Sequence, residues 1–318
     1  MNHHAVMSDQ DFIRSSFPEW SAIQKNMTSP DALRVSIDIF FDWLCVALAM
    51  LCLHRFGWWS APVTVVWIGN RQRALGNLLH DAAHRNLARS FQLNDSLARL
   101  FIAPALFNSL ALYRELHARH HAWLGDPKRD PDYIALHREP GYAWWQPYCR
   151  ALVMPAAWLS SLFGHLHLLR LSFTKWFGIV AWWTLLLGVM SLVLGLHAAT
   201  FFLGAWMLAR ATVFHLITTF RELCDHFGLL PGGIFNYTRD VSSRSLWRWI
   251  IHPHNNGYHL THHLMPSIPY HRLANAQRKL LELPAFVGLA KVCHTYFRGA
   301  DAVVHEWELS TGGRHDAT

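Results

Sequence analysis

The chain has 318 residues, of which 52% are apolar and only 15% are charged; so little charge is atypical of a soluble protein and indicates contact with lipid. The Lys and Arg residues behind the net charge of +7 form no stripe, and no nucleic-acid-binding module is visible, so we predict no nucleic-acid partner. Five scattered cysteines without a C-x-x-C motif argue against a disulfide framework and a thiolate zinc site.

The first two apolar segments predict a pair of membrane helices, at about 36–56 and 63–79. The turn between them is rich in tryptophan, which suits a membrane interface. Arg71 and Arg73 lie in the second segment, so we expect its lower half to emerge into the cytoplasm.

A second pair is predicted further along the chain. Trp176 to Ala209 contains no Asp, Glu, Lys or Arg and is too long for one crossing, with a natural break near Gly195. We therefore predict a helical hairpin at 176–195 and 198–220. Arg210 lies inside its second arm and must face protein or reach the interface.

The regions around these spans differ in character. Residues 97–113 are apolar but short for a crossing and contain Pro104, which favours a dip into the membrane or a buried helical hairpin. Residues 124–147 predict a loop, and 148–170 predict an interfacial amphipathic helix. Four spans put both termini on one side, and the basic clusters then share that side, which predicts cytoplasmic termini. The predicted units are a polar N-terminal arm (1–35), a membrane domain (36–290) and a C-terminal tail (291–318).

Three histidine clusters follow apolar segments on the predicted cytoplasmic side. Residues 80–84 read H-x-x-x-H, and residues 117–121 and 259–263 both read H-x-x-H-H. On a helix, positions i, i+3 and i+4 share a face, so each cluster projects two or three imidazoles to one side. A lone H-x-x-x-H is common without a metal, but imidazole suits iron, zinc, copper and nickel, and eight ligands suit two ions. The candidate ligands are His80, His84, His117, His120, His121, His259, His262 and His263.

The clusters, their order and the hydrophobic spacing resemble the membrane fatty acid desaturase superfamily over about residues 40–290. The resemblance is strongest at 254–273, where members often show N-x-x-Y/F-H-x-x-H-H-x-x-P-x-x-P-Y. It implies an all-α integral-membrane fold, with about four transmembrane helices and a cytoplasmic helical cap that carries the histidine boxes. It also implies two iron ions as cofactors and O₂ as co-substrate.

The resemblance extends to residues outside the boxes. Family members often supply one further histidine after the last span, in an R-x-x-x-E-H-like stretch, and residues 221–226 match it with Asp225 where Glu is common. His226 is therefore implied as a ninth ligand, although it could be an ordinary helix-end histidine. Asp81 and Asp225 are candidate acceptors that orient imidazoles. Asn256 resembles a polar or water-mediated partner of the site, although it could instead form the turn before Gly257.

Three functions remain open at this point. The resemblance implies an O₂-dependent desaturase that introduces a double bond into an acyl chain. A membrane hydroxylase or ketolase acting on an alkyl, sphingolipid or carotenoid substrate is the alternative, because ligand spacing does not separate the two outcomes. A metal-binding or metal-transporting membrane protein is disfavoured, because a transporter places its ligands at mid-membrane rather than at span ends.

The reaction needs electrons from outside the chain. No nicotinamide or flavin motif occurs, and residues 230–233 differ from the haem-binding H-P-G-G of cytochrome b5 domains because Leu230 replaces the histidine. An external donor, a ferredoxin or a cytochrome b5-like protein, is therefore implied. We expect a lipid or acyl-thioester substrate to enter among the membrane helices. Candidate lining residues are Trp182, Trp183, Trp206 and Phe214.

Overall fold

A computed structural model describes residues 2–17, 20–136, 139, 141–168 and 171–308. The last ten residues of the predicted tail lie outside this part of the chain. The described chain is mostly helical, with two short parallel strands, β1 (Asp240–Val241) and β2 (Val292–Cys293). The helices are α1 (Asn2–Ser16), α2 (Trp20–Met27), α3 (Ala32–Phe56), α4 (Ala61–Ala83), α5 (Phe91–Phe101), α6 (Leu110–Ala122), α7 (Trp145–Leu152), α8 (Pro155–Phe163), α9 (Phe173–Leu194), α10 (Leu196–Ala209), α11 (His215–His226), α12 (Ile234–Tyr237), α13 (Trp247–Ile251), α14 (His259–Leu264), α15 (Tyr270–Leu280) and α16 (Pro284–Leu289).

The first long helices, α3 and α4, form an antiparallel pair. The carboxylate of Asp31 caps α3 by accepting from the backbone N–H of Arg34 at 3.0 Å, and a 3₁₀ turn at Gly57–Ser60 reverses the chain. Buried Asp42 on α3 pairs with Arg71 on α4 at 2.9 Å. The end of α4 is buried in the protein, where Arg73 is only 6% exposed.

The second long pair consists of α9 and α10, which meet at Gly195. This residue has φ +89°, a conformation that glycine adopts without strain, and it ends α9 where the sequence predicts the break. A π-helical turn at Arg210–Phe214 joins α10 to α11, so the helical run continues to His226 rather than ending near 220. It continues because the polar residues of α11, such as Arg221 and Asp225, are buried against protein rather than released to water.

Three stretches are long and apolar enough to cross a membrane, at Ala32–Ala83, Phe173–Leu194 and Leu196–His226. The first contains both α3 and α4. Large apolar side chains on α3 and α9 remain exposed, such as Phe40 at 66% and Leu192 at 89%, which suits helices in contact with lipid.

Between the long pairs, the chain packs into the protein. Trp183 and Trp206 are buried and donate hydrogen bonds to the carbonyls of Pro104 and Ala105, at 2.9 and 3.2 Å. The segment between α5 and α6 is thus a buried break between two helices. The amphipathic helix predicted at 148–170 is broken instead, because α8 begins at Pro155, which lacks a backbone N–H to continue α7.

The remaining helices, α12 to α16, pack over the ends of the long helices together with α1. Asp9 on α1 accepts from the backbone N–H of Ile234 at 2.6 Å, and Gln10 donates to the carbonyl of His263 at 2.9 Å. Asp42 on α3 also accepts from His254 at 2.9 Å. These contacts fix α14, which carries the third histidine cluster, above the ends of α4 and α11.

Candidate metal centre

The structure brings the nine histidines singled out in the sequence to one place. His80 lies in α4 and His84 caps it; the second cluster lies in α6, His226 ends α11, and the third cluster lies in α14. They form two groups, each of which could hold a metal ion, with candidate ligand atoms within 4.8 Å of one another. The five-histidine group is His80, His84, His117, His121 and His262, and the four-histidine group is His120, His226, His259 and His263.

Helix geometry explains how one cluster serves both groups. Positions i and i+4 point nearly the same way, whereas position i+3 is rotated by about 100° from i+4. In α6 the i, i+4 pair His117 and His121 joins the five-histidine group, and His120 turns to the other group. In α14 the i, i+4 pair His259 and His263 joins the four-histidine group, and His262 crosses to the five-histidine group. The two H-x-x-H-H boxes therefore bridge the two groups.

The Nε2 atoms face one another at short distances. His117 Nε2 lies 2.8 Å from His84 Nε2 and 3.1 Å from His121 Nε2, and His259 Nε2 lies 3.0 Å from the Nε2 atoms of both His226 and His263. Adjacent nitrogens around one ion at ~2.1 Å and right angles would be about 3.0 Å apart. The observed spacing fits imidazoles that share an ion.

The donor set supports the same interpretation. Both ring nitrogens of His80 are buried without a hydrogen-bond partner among the described residues, which is costly for a polar group unless an ion completes it. All donors in the two groups are imidazole nitrogens, which suit iron, zinc, copper or nickel. The residues present therefore fit a pair of such ions.

The four-histidine group is held by hydrogen bonds at its outer nitrogens. His120 Nδ1 lies 2.8 Å from Asp130 Oδ1, and His226 Nδ1 lies 2.8 Å from the carbonyl oxygen of Tyr237. Such contacts fix the tautomer and leave Nε2 free to bind a metal. Neither partner was found in the sequence: Asp130 lies in the predicted loop, and a backbone carbonyl carries no sequence signal.

The three polar residues suggested from the sequence as partners of the histidines, Asp81, Asp225 and Asn256, contact different parts of the site. Asp225 Oδ2 pairs with Arg221 at 2.8 Å and lies 3.6 Å from His259 Nδ1. Asn256 accepts from Arg221 Nε at 2.9 Å, so it reaches the group through that arginine. Asp81 accepts from the backbone N–H of Tyr270 at 2.9 Å, and its other oxygen lies 3.9 Å from His80 Nδ1, too far for a hydrogen bond.

Burial keeps most of these imidazoles neutral. Burial and the neighbouring imidazoles lower the pKa of His117, His262 and His263 well below the usual value, and burial lowers the pKa of His84 to about 3. Neutral imidazole is the form that binds metal. His120 differs: burial lowers its pKa, but the Asp130 hydrogen bond and nearby carboxylates outweigh burial and raise it, which makes Nε2 a more basic ligand.

A cavity of about 890 Å³ opens beside both groups. Its lining includes His80 and His117 from the five-histidine group and His120, His226 and His259 from the other. Of the aromatic residues expected along a substrate path, only Phe214 lines it. Trp183 and Trp206 are packed in the core, and Trp182 faces a separate apolar groove on the outer surface.

The fold and the two groups together define a class of protein: a helical protein with helices long and apolar enough to cross a membrane and with two histidine groups that could hold metal ions. Residues 56–294 match the fatty acid desaturase family. A curated relative, the dihydrorhizobitoxine desaturase of Bradyrhizobium elkanii, is 31% identical in a match that covers 82% of this chain and 79% of that protein. The chain therefore belongs to the fatty acid desaturase family.

Proposed function

We propose that this chain is an O₂-dependent desaturase in which the nine histidines hold two iron ions. The observation that carries the proposal is the arrangement of nine imidazoles in two adjoining groups that face one cavity. Family membership supports iron as the metal. The five-histidine group would hold one ion and the four-histidine group the other.

Two iron ions, when bound, would supply the activation of O₂ that breaks an unactivated C–H bond. Desaturation removes two neighbouring hydrogen atoms and forms a C=C bond. These two hydrogen atoms, one O₂, two electrons and two protons together give two molecules of water. The chain itself positions the substrate in the cavity and orients its ligands, as Asp130 does for His120. Electrons come from a separate ferredoxin or cytochrome b5-like protein.

We also propose four membrane crossings, with both termini in the cytoplasm. The crossings are α3, α4, α9 and the continuous run from α10 to α11. The three apolar stretches, the first of which contains two helices, support this number. The histidines of α4, α6 and α11 then lie near the cytoplasmic ends of α4 and α11, against the three histidines of α14 in a cap of α12 to α16.

Family membership alone does not identify the substrate. The family resemblance predicts an acyl chain, as a lipid or thioester, whereas the name of the Bradyrhizobium elkanii relative gives dihydrorhizobitoxine as what that protein desaturates. Hydroxylation or ketolation of an alkyl, sphingolipid or carotenoid substrate is the second candidate function, because the same metal centre can return oxygen to the first carbon.

The test is an O₂-dependent mass change. Full-length protein is expressed in a host with a ferredoxin system, and the lipid and aqueous extracts are compared by mass spectrometry with those from His120→Ala and from His305→Ala, a matched control at an exposed histidine outside the centre. A product that lacks two hydrogen atoms, present with wild type and His305→Ala only, supports desaturation. A product that gains one oxygen atom supports hydroxylation. No difference between wild type and His120→Ala contradicts both.

A further inference from the structure

A buried histidine outside the nine candidate ligands lies behind the four-histidine group. His252, seven residues before the start of α14, is 3% exposed. Its Nε2 atom lies 3.3 Å from Asp225 Oδ1, and its Nδ1 atom lies 2.8 Å from the hydroxyl oxygen of Tyr296. Both ring nitrogens thus have partners in the protein, so His252 is placed to act on its neighbours rather than to bind a metal itself.

The two hydrogen bonds define which nitrogen of His252 carries the proton. Asp225 forms an ion pair with Arg221 at 2.8 Å, and a carboxylate in such a pair can only accept, so His252 Nε2 is the donor. Burial lowers the pKa of His252 by more than the Asp225 hydrogen bond raises it, so the ring is neutral and Nδ1 is an acceptor. The hydroxyl of Tyr296 therefore donates to Nδ1. Burial raises the pKa of this hydroxyl well above its usual value, which keeps the proton there.

The Asp225 carboxylate links His252 to the candidate ligand His259. The Nδ1 atom of His259 lies 3.4 Å from Arg221 Nη2 and 3.6 Å from Asp225 Oδ2. A guanidinium only donates, so the carboxylate is the acceptor that faces the proton that Nδ1 carries when Nε2 binds a metal. Oδ2 is buried and has no aligned hydrogen bond within the described chain, so it can take this contact. The orientation of His259 therefore depends on where Asp225 is held.

His252 is the main directional contact of that carboxylate. Among the described residues, His252 supplies the one aligned hydrogen bond to Asp225, at Oδ1. Arg221 balances the charge from the Oδ2 side, but its guanidinium also donates to Glu222 at 2.7 Å and to Asn256 at 2.9 Å. The charge of Asp225 is thus balanced by Arg221, whereas its orientation depends on His252.

The predicted C-terminal tail supplies Tyr296, and the fold fixes this residue in place. β2 lies just before it in the chain and pairs with β1. The side chain of Tyr296 is 1% exposed and belongs to the same buried cluster as Leu223 and Cys224, the two residues that precede Asp225 on α11. Packing therefore sets the hydroxyl of Tyr296 at a fixed place relative to Asp225.

We propose that Tyr296 and His252 are positioning residues for His259: the Tyr296 hydroxyl fixes the tautomer of His252, and the Nε2–H of His252 holds Asp225 against His259. This inference rests on the proposed function, since it takes His259 as a ligand of iron. It gives the predicted C-terminal tail a part in the metal centre. Because the ion pair between Asp225 and Arg221 remains, loss of the chain should weaken the four-histidine group without abolishing it.

The test measures metal binding rather than turnover, and its central variant is Tyr296→Phe, which removes one hydroxyl and keeps the ring. Metal-free, full-length protein in detergent is titrated anaerobically with Fe²⁺ in competition with a chelator. Each variant is made in the wild type and in the double variant His84→Ala/His121→Ala, where the four-histidine group alone keeps all its imidazoles. The comparison shows which ion a variant affects.

We expect Tyr296→Phe to weaken iron binding by the four-histidine group a few-fold and His252→Leu to weaken it about tenfold, with no change in the five-histidine group. His252→Gln keeps an N–H donor that can reach Asp225, so it should recover most of the affinity lost in His252→Leu. A merely structural role would lower the thermal stability of the metal-free protein without a selective loss of iron affinity.

Tyr148→Phe is the matched control. Tyr148 packs against the same buried cluster and its hydroxyl donates to the carbonyl of Leu216 at 3.0 Å, away from His259, so this variant should bind iron like wild type. Equal weakening in Tyr148→Phe and Tyr296→Phe, or a glutamine variant no better than His252→Leu, overturns the inference.

The outcomes separate this inference from the proposed function. Two ions in the wild type together with unchanged affinity in Tyr296→Phe overturn the positioning chain alone. A wild type that binds no iron contradicts the proposed function, and the chain falls with it. If His252→Leu does not fold, the comparison of Tyr296→Phe with Tyr148→Phe decides.

Discussion

The four-histidine and five-histidine groups adjoin each other beside the same cavity but are supported in different ways. In the four-histidine group, Asp130 and the Tyr237 carbonyl hold the outer nitrogens of two ligands, and Arg221 and Asp225 lie beside a third. Within the described chain, no outer nitrogen of the five-histidine group makes a hydrogen bond, and those of His80 and His262 are buried without partners.

This contrast indicates two ways of building a metal site from the same side chain. The four-histidine group is partly organised by the protein before an ion binds, since fixed acceptors set the tautomers of His120 and His226, while His263 Nδ1 has no partner among the described residues. The five-histidine group relies on the number of its imidazoles and on the ion itself. Changes in the surrounding residues should therefore act mainly on the four-histidine group.

The largest effect is expected from loss of a ligand. His120→Ala removes one of four imidazoles from its group, and we expect iron to fall from about two to about one per chain and turnover to fall by more than ~100-fold. The protein should remain in the membrane fraction, because His120 lies outside the apolar stretches. Iron analysis and a turnover assay measure both effects, and retained turnover would contradict the assignment of His120 as a ligand.

The next largest effect is expected from the carboxylate behind that ligand. Asp130→Asn should weaken iron binding by the four-histidine group by ~10–100-fold and leave the five-histidine group unchanged. Asp132→Asn is the comparison, since its carboxylate lies 3.9 Å from His120 Nδ1 without a hydrogen bond, and we expect a smaller loss there. Chelator competition measures the loss; an equal loss in both variants would contradict the role of Asp130.

A smaller effect is expected at Asn256, which reaches the four-histidine group only through Arg221. Asn256→Ala removes the acceptor that holds Arg221 Nε at 2.9 Å, and Arg221 in turn lies 3.4 Å from His259 Nδ1. We expect iron affinity of the four-histidine group to fall only a few-fold, since the ion pair with Asp225 remains. A loss as large as that of Asp130→Asn would show that Asn256 acts more directly.

The smallest effect is expected at a support common to both groups. Asp240 accepts from the backbone N–H and the hydroxyl of Thr261, in α14, and burial raises its pKa to about 6, above the usual 3.8. The folded protein thus binds this proton more tightly than the unfolded chain, so ionisation costs stability as pH rises from about 4 to about 6.

Asp240→Asn has no such titration. Thermal unfolding of metal-free wild type and variant should therefore show wild type gaining about 1 kcal/mol relative to the variant when the pH falls from 7 to 5. A constant difference between the two proteins at both pH values would show that Asp240 does not titrate in this range.

Much of the centre could be predicted because its ligands obey local rules. The i, i+3 and i+4 spacing identifies the boxes, and the resemblance adds His226. All nine side chains meet in the structure. The supports could not be predicted, since Asp130 and Tyr237 reach the ligands through loop contacts that no periodicity records. The burial of Arg73 against α11 could not be predicted either, since hydropathy carries no information on packing between helices.

The long helices show the same difference between what local sequence predicts and what tertiary packing decides. Apolar length predicts the pairs α3–α4 and α9–α10, and a glycine marks the turn of the second pair. The ends of the helices depend on tertiary burial, so α11 extends to His226, beyond the predicted end near 220. Local composition therefore indicates where a helix lies, and the surrounding protein decides where it stops.

The most direct test of the two-ion centre is a titration of metal-free, full-length protein with Fe²⁺ under anaerobic conditions. We predict saturation at two iron ions per chain for wild type, and at one for both His120→Ala and the double variant His84→Ala/His121→Ala, which each leave three imidazoles in a different group. Saturation of the wild type at a single ion, or unchanged saturation in both variants, would contradict the account.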